Sequence, residues 1–346
     1  MTFTVTLRQS GRQFQVEPDE PILAAALRQN VELPYGCKSG ACGVCKSAIT
    51  RGKIEQHEHA AFALPDDESA RGLALLCCAS AKSDIEIDVP EVNAVNAASD
   101  TQPCKLPCRI STIERKSADV IILKLQLPAG EKVPYRAGQY LQFILPDDMR
   151  RCYSMATPPR DDGTIELHIR HLPGGRFTDQ VFGSLKERDI LRCEIPFGTF
   201  FLREDSQKPI VLLASGTGFA PIKAIVEHIV QRKITRPIAF YWGGRRRSDL
   251  YLFDLAVQWA KEIPDFRFVP VLSEPDASDD WTGRTGFVHR AVIEDLRDLS
   301  GYQVYACGVP VMVESARRDF TQQHGLPENE FYADAFMSKA DLARPA

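Results

Sequence analysis

Cys37, Cys42 and Cys45 lie in one glycine-rich stretch, Pro34 to Ser47 (PYGCKSGACGVCKS), and this stretch restricts the chain more than any other. Their spacing is C-x4-C-x2-C, and a fourth thiolate is on offer downstream at Cys77 or Cys78. Four thiolates, three of them from a single loop, favour an iron–sulfur cluster. Such a loop must curl around inorganic sulfide without side chains in the way, and Gly36, Gly40 and Gly43 supply that freedom. Its amides can then point inward, where donors stabilise anionic sulfur and help set the reduction potential. A disulfide-stapled loop and a zinc site are the plainer alternatives. Zinc more usually pairs one C-x2-C with a second, or with histidines at matching spacing. His57 and His59 have no such spacing and read as solvated polar residues.

At 346 residues the chain is comfortable for two or three cores. Its net charge of −4 is small and its basic residues are dispersed, which argues against nucleic acid as a partner and gives no support for a membrane-surface helix. No apolar run reaches membrane-spanning length, and Met1 to Arg8 alternates like a strand, so neither membrane insertion nor export is expected. The ten cysteines follow no secreted framework. They fit a reducing cytoplasm in which four hold a cluster and the rest are free thiols.

Residues 1–89 read as one small α+β unit. Thr2 to Arg8 and Gln13 to Glu17 alternate around Ser10-Gly11 as a hairpin. A helix follows, with Asp19 as the cap, Pro21 in the first turn, and Ile22, Leu23, Ala26 and Leu27 on one apolar face. Beyond the cysteine loop come a strand from Lys46 to Arg51, a short helix from Asp66 and a strand from Asp84 to Val89. Residues 90–103 lack periodicity, are rich in small polar residues, and read as a linker.

Residues 104–205 carry six short strands bounded by Gly, Pro or Asp, with one helical piece from Phe177 to Leu185, and predict an antiparallel barrel. Arg151-Cys152-Tyr153-Ser154 sets a guanidinium, a phenol and a hydroxyl along one strand. Gly174-Gly175-Arg176-Phe177-Thr178 leads into the helix, where free amides and the helix dipole favour a phosphate. Residues 206–346 alternate continuous apolar strands with helices and predict a parallel α/β domain. Its first strand runs into Ser215-Gly216-Thr217-Gly218-Phe219-Ala220-Pro221, a glycine turn opening a helix where a pyrophosphate can approach the backbone. Arg245, Arg246 and Arg247 follow the second strand, where a 2′-phosphate could bind or where plain surface arginines could lie.

In this order the segments resemble the single-chain electron-transfer reductases of the ferredoxin–NADP reductase superfamily, built from a β-grasp plant-type ferredoxin, a flavin barrel and a nicotinamide domain. The resemblance implies a [2Fe–2S] cluster with Cys77, after Leu75-Leu76, as the fourth ligand, while Cys78 stays a possible substitute. It implies FAD, with Arg151 at the pyrophosphate, Tyr153 on the isoalloxazine, Ser154 near N5, and Gly174, Gly175 and Thr178 in a pyrophosphate loop. Gly216, Thr217, Gly218 and Pro221 match that family's Gly-x-Gly-x-Ala-Pro turn for the nicotinamide nucleotide. Cys307 and Gly308, within Tyr305 to Met312, fall where the family places residues beside the nicotinamide. Phe336, in the run Glu330 to Phe336, resembles the aromatic that covers the flavin. The family prefers NADH, which implies NADH over NADPH. Its members pass single electrons to a partner, either an oxygenase component or a deoxysugar dehydrase. Residues 81–89, 198–201, 281–288 and 334–336 resemble most the branch serving deoxysugar synthesis. A third possibility, of another class, is a non-catalytic redox sensor whose cysteines bind zinc or titrate with oxidants.

Overall fold

The computed structural model describes residues 2–92 and 102–336. Residues 93–101 of the linker expected at 90–103 lie outside them. The N-terminal module forms one compact unit, and the chain from 102 to 334 forms another.

In the first unit β1 (Phe3–Leu7) and β2 (Gln13–Val16) make the hairpin that alternation demands, followed by α1 (Ile22–Arg28) and, after the cysteine loop, β3 (Lys46–Arg51) and β4 (Ile54–Gln56). Then come α2 (Asp66–Ala70), β5 (Leu73–Leu75), a 3-10 turn at Leu76–Cys78, β6 (Ala79–Ala81) and β7 (Ile85–Asp88). The main sheet runs β2-β1-β7-β3-β5, with β1 and β7 parallel and the remaining pairs antiparallel. This is a β-grasp. Val5, Leu7, Ile85 and Ile87 of the sheet and Ile22, Leu23 and Ala26 of α1 are all buried. Asp19 does not cap α1. It sits in a left-handed conformation, and its carboxylate accepts from Lys82 at 2.8 Å, leaving Pro21 at the cap without a side-chain bond.

The second unit opens with a barrel of β8 (Cys104–Arg115), β9 (Val120–Gln126), β10 (Tyr140–Ile144), β11 (Arg150–Ser154), β12 (Thr164–Arg170) and, after α3 (Arg176–Gly183), β13 (Ile190–Phe197). Strand order is β11-β10-β13-β8-β9-β12, and a bridge from Met155 to Leu167 brings its two edges together. Leu123, Leu141, Phe143 and Leu167 fill the interior. Cys108 and Cys193 depart from the free-thiol expectation: they are joined across β8 and β13, both fully buried. They are 85 residues apart and meet only because antiparallel pairing sets Cys108 opposite Leu191 and Cys193 opposite Leu106.

Next come β14 (Ile210–Ser215), α4 (Phe219–Arg232), β15 (Ile238–Gly244), α5 (Phe253–Glu262), β16 (Phe266–Leu272) and β17 (Arg284–Thr285). The chain ends with α6 (Val288–Asp295), β18 (Gln303–Gly308), α7 (Pro310–Gln323) and β19 (Phe331–Ala335). The sheet order is β17-β16-β15-β14-β18-β19, and the pairs from β17 to β18 are parallel. Buried on both faces, β14 and β18 are apolar almost without interruption. The order reverses between β14 and β18, and a doubly wound sheet binds ligands at the carboxyl ends of such a pair. Among the described residues, no helix is long and apolar enough to cross a membrane.

Candidate functional site

The four thiol positions of the first module sit where the cysteine loop meets the turn after β5. Amides point at the sulfurs: Ser39 N–H donates to Cys37 Sγ at 3.4 Å, Cys37 N–H to Cys42 Sγ at 3.4 Å, and Gly40 N–H to Cys77 Sγ at 3.2 Å. Gly40 and Gly43 both have φ near 71°, which lets the loop turn its amides inward. The sulfurs are paired, Cys37 with Cys42 and Cys45 with Cys77. In each pair one thiol is pulled down by its neighbour's hydrogen bond: Cys37 to about 6 through Cys42, and Cys77 to about 3 through Cys45 and then Cys78. Two cysteine pairs ringed by amides have the donor set that would hold a two-iron cluster. Among the described residues, no three His, Cys, Asp or Glu side chains converge as one metal ion would require.

In the barrel, β11 brings Arg151, Tyr153 and Ser154 to one edge strand. Arg150 and Arg151 are adjacent but differ in role. Arg150 pairs with Glu194 at 2.6 Å, whereas Arg151 donates to the Arg150 carbonyl and touches Met149 sulfur, with no carboxylate partner among the described residues. Its charge is left for an anion. The Tyr153 ring packs against Phe143 and Phe177, centroids 5.8 and 5.5 Å away. Gly175 caps α3 without a side-chain bond, so the first amides of the helix are free for a phosphate. A Cβ on Gly175 would lie 2.5 Å from Thr178 Oγ1 and 2.7 Å from the Leu172 carbonyl, so only glycine fits. The Thr178 hydroxyl lies within this turn, its one proton shared between Leu172 O at 2.9 Å and Gly175 O at 3.1 Å, and accepts from Leu172 N–H. It shapes the loop. Gly174, at φ 79°, has open space where a side chain would be.

At the switch point the carboxyl ends of β14 and β18 interlock. Gly216-Thr217-Gly218 forms a 3-10 turn into α4, whose first turn buries Pro221. A Cβ on Gly218 would stand 2.1 Å from the Cys307 carbonyl oxygen, and one on Gly308 would stand 2.1 Å from Ser215 Oγ. Ser215 Oγ accepts from Val309 N–H at 3.0 Å, and Trp242 Nε1 donates to Gly216 O at 3.1 Å. Backbone thus lies directly on backbone, leaving a smooth floor for a dinucleotide. Cys307 is fully buried at its edge. Burial pushes its thiol up, and the charge of Asp334 adds to the effect. Ser154 Oγ donates to Asp334 Oδ2 at 3.4 Å, so one carboxylate bonds the barrel hydroxyl and acts on the sheet thiol through its charge. The sequence reading missed Asp334, although it sits in the run inspected for aromatics. Phe336, just past β19, is half-buried.

Comparison with known proteins agrees with this geometry. Residues 5–82 match the 2Fe-2S iron-sulfur cluster binding domain, 107–202 the oxidoreductase FAD-binding domain, and 212–318 the oxidoreductase NAD-binding domain. The chain is 44% identical, over 97% of its length and 99% of the relative's, to CDP-6-deoxy-L-threo-D-glycero-4-hexulose-3-dehydrase reductase of Yersinia pseudotuberculosis. It belongs to the single-chain [2Fe–2S] flavoprotein reductases. The terephthalate 1,2-dioxygenase reductase component 2 of Comamonas is 34% identical over 97% of this chain and 98% of that one. Among solved structures, the Amycolatopsis cytochrome P450 reductase GcoB superposes with a TM-score of 0.76 at 32% identity, over 97% of this chain and 99% of that one. The reductase is therefore an NAD-, FAD- and [2Fe–2S]-dependent oxidoreductase of the ferredoxin–NADP reductase type.

Proposed function

We propose that this reductase is a cytoplasmic CDP-6-deoxy-Δ3,4-glucoseen reductase, taking electrons from NADH and delivering them singly to a CDP-4-keto-6-deoxyhexose 3-dehydrase. The acceptor rests on one observation: 44% identity along nearly the whole chain to a dehydrase reductase, against 34% to a dioxygenase reductase. We place its modules at residues 1–89, 104–205 and 206–346, with 90–103 between the first two. Bound FAD accepts hydride and releases single electrons, which suits a nicotinamide donor to a one-electron cluster.

The chain's own residues position and insulate. Arg151 and the first amides of α3 hold the flavin diphosphate, and Tyr153 supplies an aromatic face. Gly216, Thr217 and Gly218 offer backbone to the nicotinamide nucleotide, and Gly218 and Gly308 let the ends of β14 and β18 approach closely beneath it. Ser154 directs its proton to Asp334, which leaves the hydroxyl oxygen's lone pairs to accept a hydrogen bond. Burial keeps Cys307 a neutral thiol. Cys37, Cys42, Cys45 and Cys77 hold the cluster. Of the arginines after β15, Arg246 is engaged by Asp276 and Asp279, and Arg247 lies over the Phe253 ring at 3.9 Å. With two of these three arginines so occupied, NADH is favoured over a 2′-phosphorylated nucleotide.

The reading is tested by mixing NADH-reduced protein anaerobically with a purified dehydrase and its CDP-sugar, and separately with an oxygenase terminal component. Product formation in the first mixture and none in the second is expected. Turnover only with the oxygenase would move the acceptor to the second reading, which the likeness to GcoB and the terephthalate component favours.

A further inference from the structure

Two cysteines, Cys77 and Cys78, are adjacent where the cluster needs one ligand, and something must fix which sulfur turns inward. Gln56, at the end of β4, spans the segment that carries both. Its Oε1 accepts the Leu75 N–H at 2.9 Å, and its Nε2 donates to the Cys78 carbonyl at 2.8 Å and to Cys78 Sγ at 3.3 Å. A second donor, His57 N–H, reaches the same Cys78 carbonyl at 2.8 Å. One side chain thereby ties both ends of the Leu76–Cys78 turn to a strand that is itself paired with β6, Gln56 opposite Ala79. The two sulfurs are 3.9 Å apart. Cys77 Sγ receives the Gly40 amide, while Cys78 Sγ packs against Gly40, where a Cβ would stand only 2.9 Å from it.

We propose that Gln56 is a positioning residue for the cluster: it holds Cys78 by carbonyl and sulfur outside the ligand set, so that Cys77 is the only thiolate presented. The proposal rests on Cys77 being the fourth ligand. A small rotation of the turn would exchange sulfurs this close, and a carboxamide with an acceptor at one end and a donor at the other locks the turn against it. Neither a carboxylate nor an aliphatic chain of the same length offers that pairing.

The test uses full-length protein reduced with dithionite, with low-temperature EPR and iron and sulfide content measured on wild type, C78S, Q56L, Q56E and Q56L/C78S. Wild type and C78S should give one identical signal. Q56L and Q56E should each split it into two sets of g values, as Cys78 replaces Cys77 in part of the population, and Q56L/C78S should return it to one. A single wild-type signal in Q56L, or a split that survives in Q56L/C78S, would overturn the proposal. If Q56L yields no folded protein, the near-isosteric Q56E decides alone, and an unsplit signal there overturns the proposal. Loss of the cluster in C78S together with its retention in C77S would instead show that the ligand assignment beneath the proposal is wrong.

Discussion

Arg150 and Arg151 show how little a residue type says until its neighbours are known. Both are half-exposed guanidiniums on β11, yet a carboxylate neutralises one and, among the described residues, none reaches the other. An arginine without an internal counter-ion on the rim of a flavin-binding barrel is a ready partner for a diphosphate, which it can meet in bidentate fashion. Arg151→Ala is expected to weaken FAD roughly tenfold to a hundredfold, the equivalent of about 1.5–3 kcal/mol for a hydrogen bond to a charged group. Arg150→Ala should keep FAD while losing some barrel stability. Equilibrium dialysis of apoprotein with FAD separates the two, and equal losses would remove Arg151 from the site. Candidates for such roles could be picked out in the sequence wherever the motif is local. The three loop cysteines, the Arg-x-Tyr-Ser strand and the Gly-x-Gly turn each fall within a stretch of a few residues. Asp334 could not be, because its partners Ser154 and Cys307 lie 180 and 27 residues away and only the folded sheet brings them to it. Gln56 and the Cys108–Cys193 pair were hidden for the same reason.

At the level of elements, one strand ties the barrel to the nicotinamide domain. Glu166, His168 and Arg170 alternate along β12 and so share a face. Glu166 meets Lys223 of α4 at 3.1 Å, His168 Nδ1 meets the Tyr251 hydroxyl at 2.7 Å, and Arg170 meets Asp249 at 2.5 Å. Lys223 is almost fully buried, and it also reaches Glu227 at 2.6 Å and the Ala156 carbonyl at 3.1 Å. Removing one member of a buried pair strands the other, at a cost of about 3–5 kcal/mol. Lys223→Met should cost that much in denaturant unfolding, and Glu166→Gln combined with it should restore most of the loss; a single-variant loss below about 1 kcal/mol would contradict the ladder. The ladder also sets an acid limb. Burial alone would raise Glu166, but the His168 hydrogen bond and the Lys223 charge outweigh it and hold the carboxyl near 2. Burial lowers His168 despite Glu166. In both cases the unfolded chain takes up the proton first, so stability is full at neutral pH. It declines below about 6.5 as unfolded His protonates, and again from about 4.5 toward 2 as unfolded Glu does. Unfolding free energies from pH 7 to 4 should fall with pH in wild type, and less steeply in Glu166→Gln at the acid end.

Across the whole molecule, the order of modules follows from electron counting. A nicotinamide gives two electrons as hydride and a [2Fe–2S] cluster takes one, so a flavin domain must stand chemically between them. That logic was readable from motif order alone, since each module announces itself by a short local signature and its strand period. Strand pairing within modules was less legible: the barrel's closure through Met155 and Leu167, and the short β4–β6 pair that holds Gln56, depend on register that no local pattern encodes. Because the chain from 102 to 334 forms a compact unit with its own barrel core and sheet, hydride acceptance and delivery of single electrons should be separable. A chain begun at residue 102 is expected to fold, bind FAD and bleach with NADH at a rate within about threefold of the full protein. It should still reduce ferricyanide, a small acceptor that takes electrons from flavin directly. It should fail to support the partner dehydrase, because the iron–sulfur module that passes electrons from the flavin to the partner has been removed. Stopped-flow reduction paired with the dehydrase assay reads both properties on one preparation. Full support of the dehydrase without the first module would mean that electrons leave from the flavin, and the cluster would then need another role.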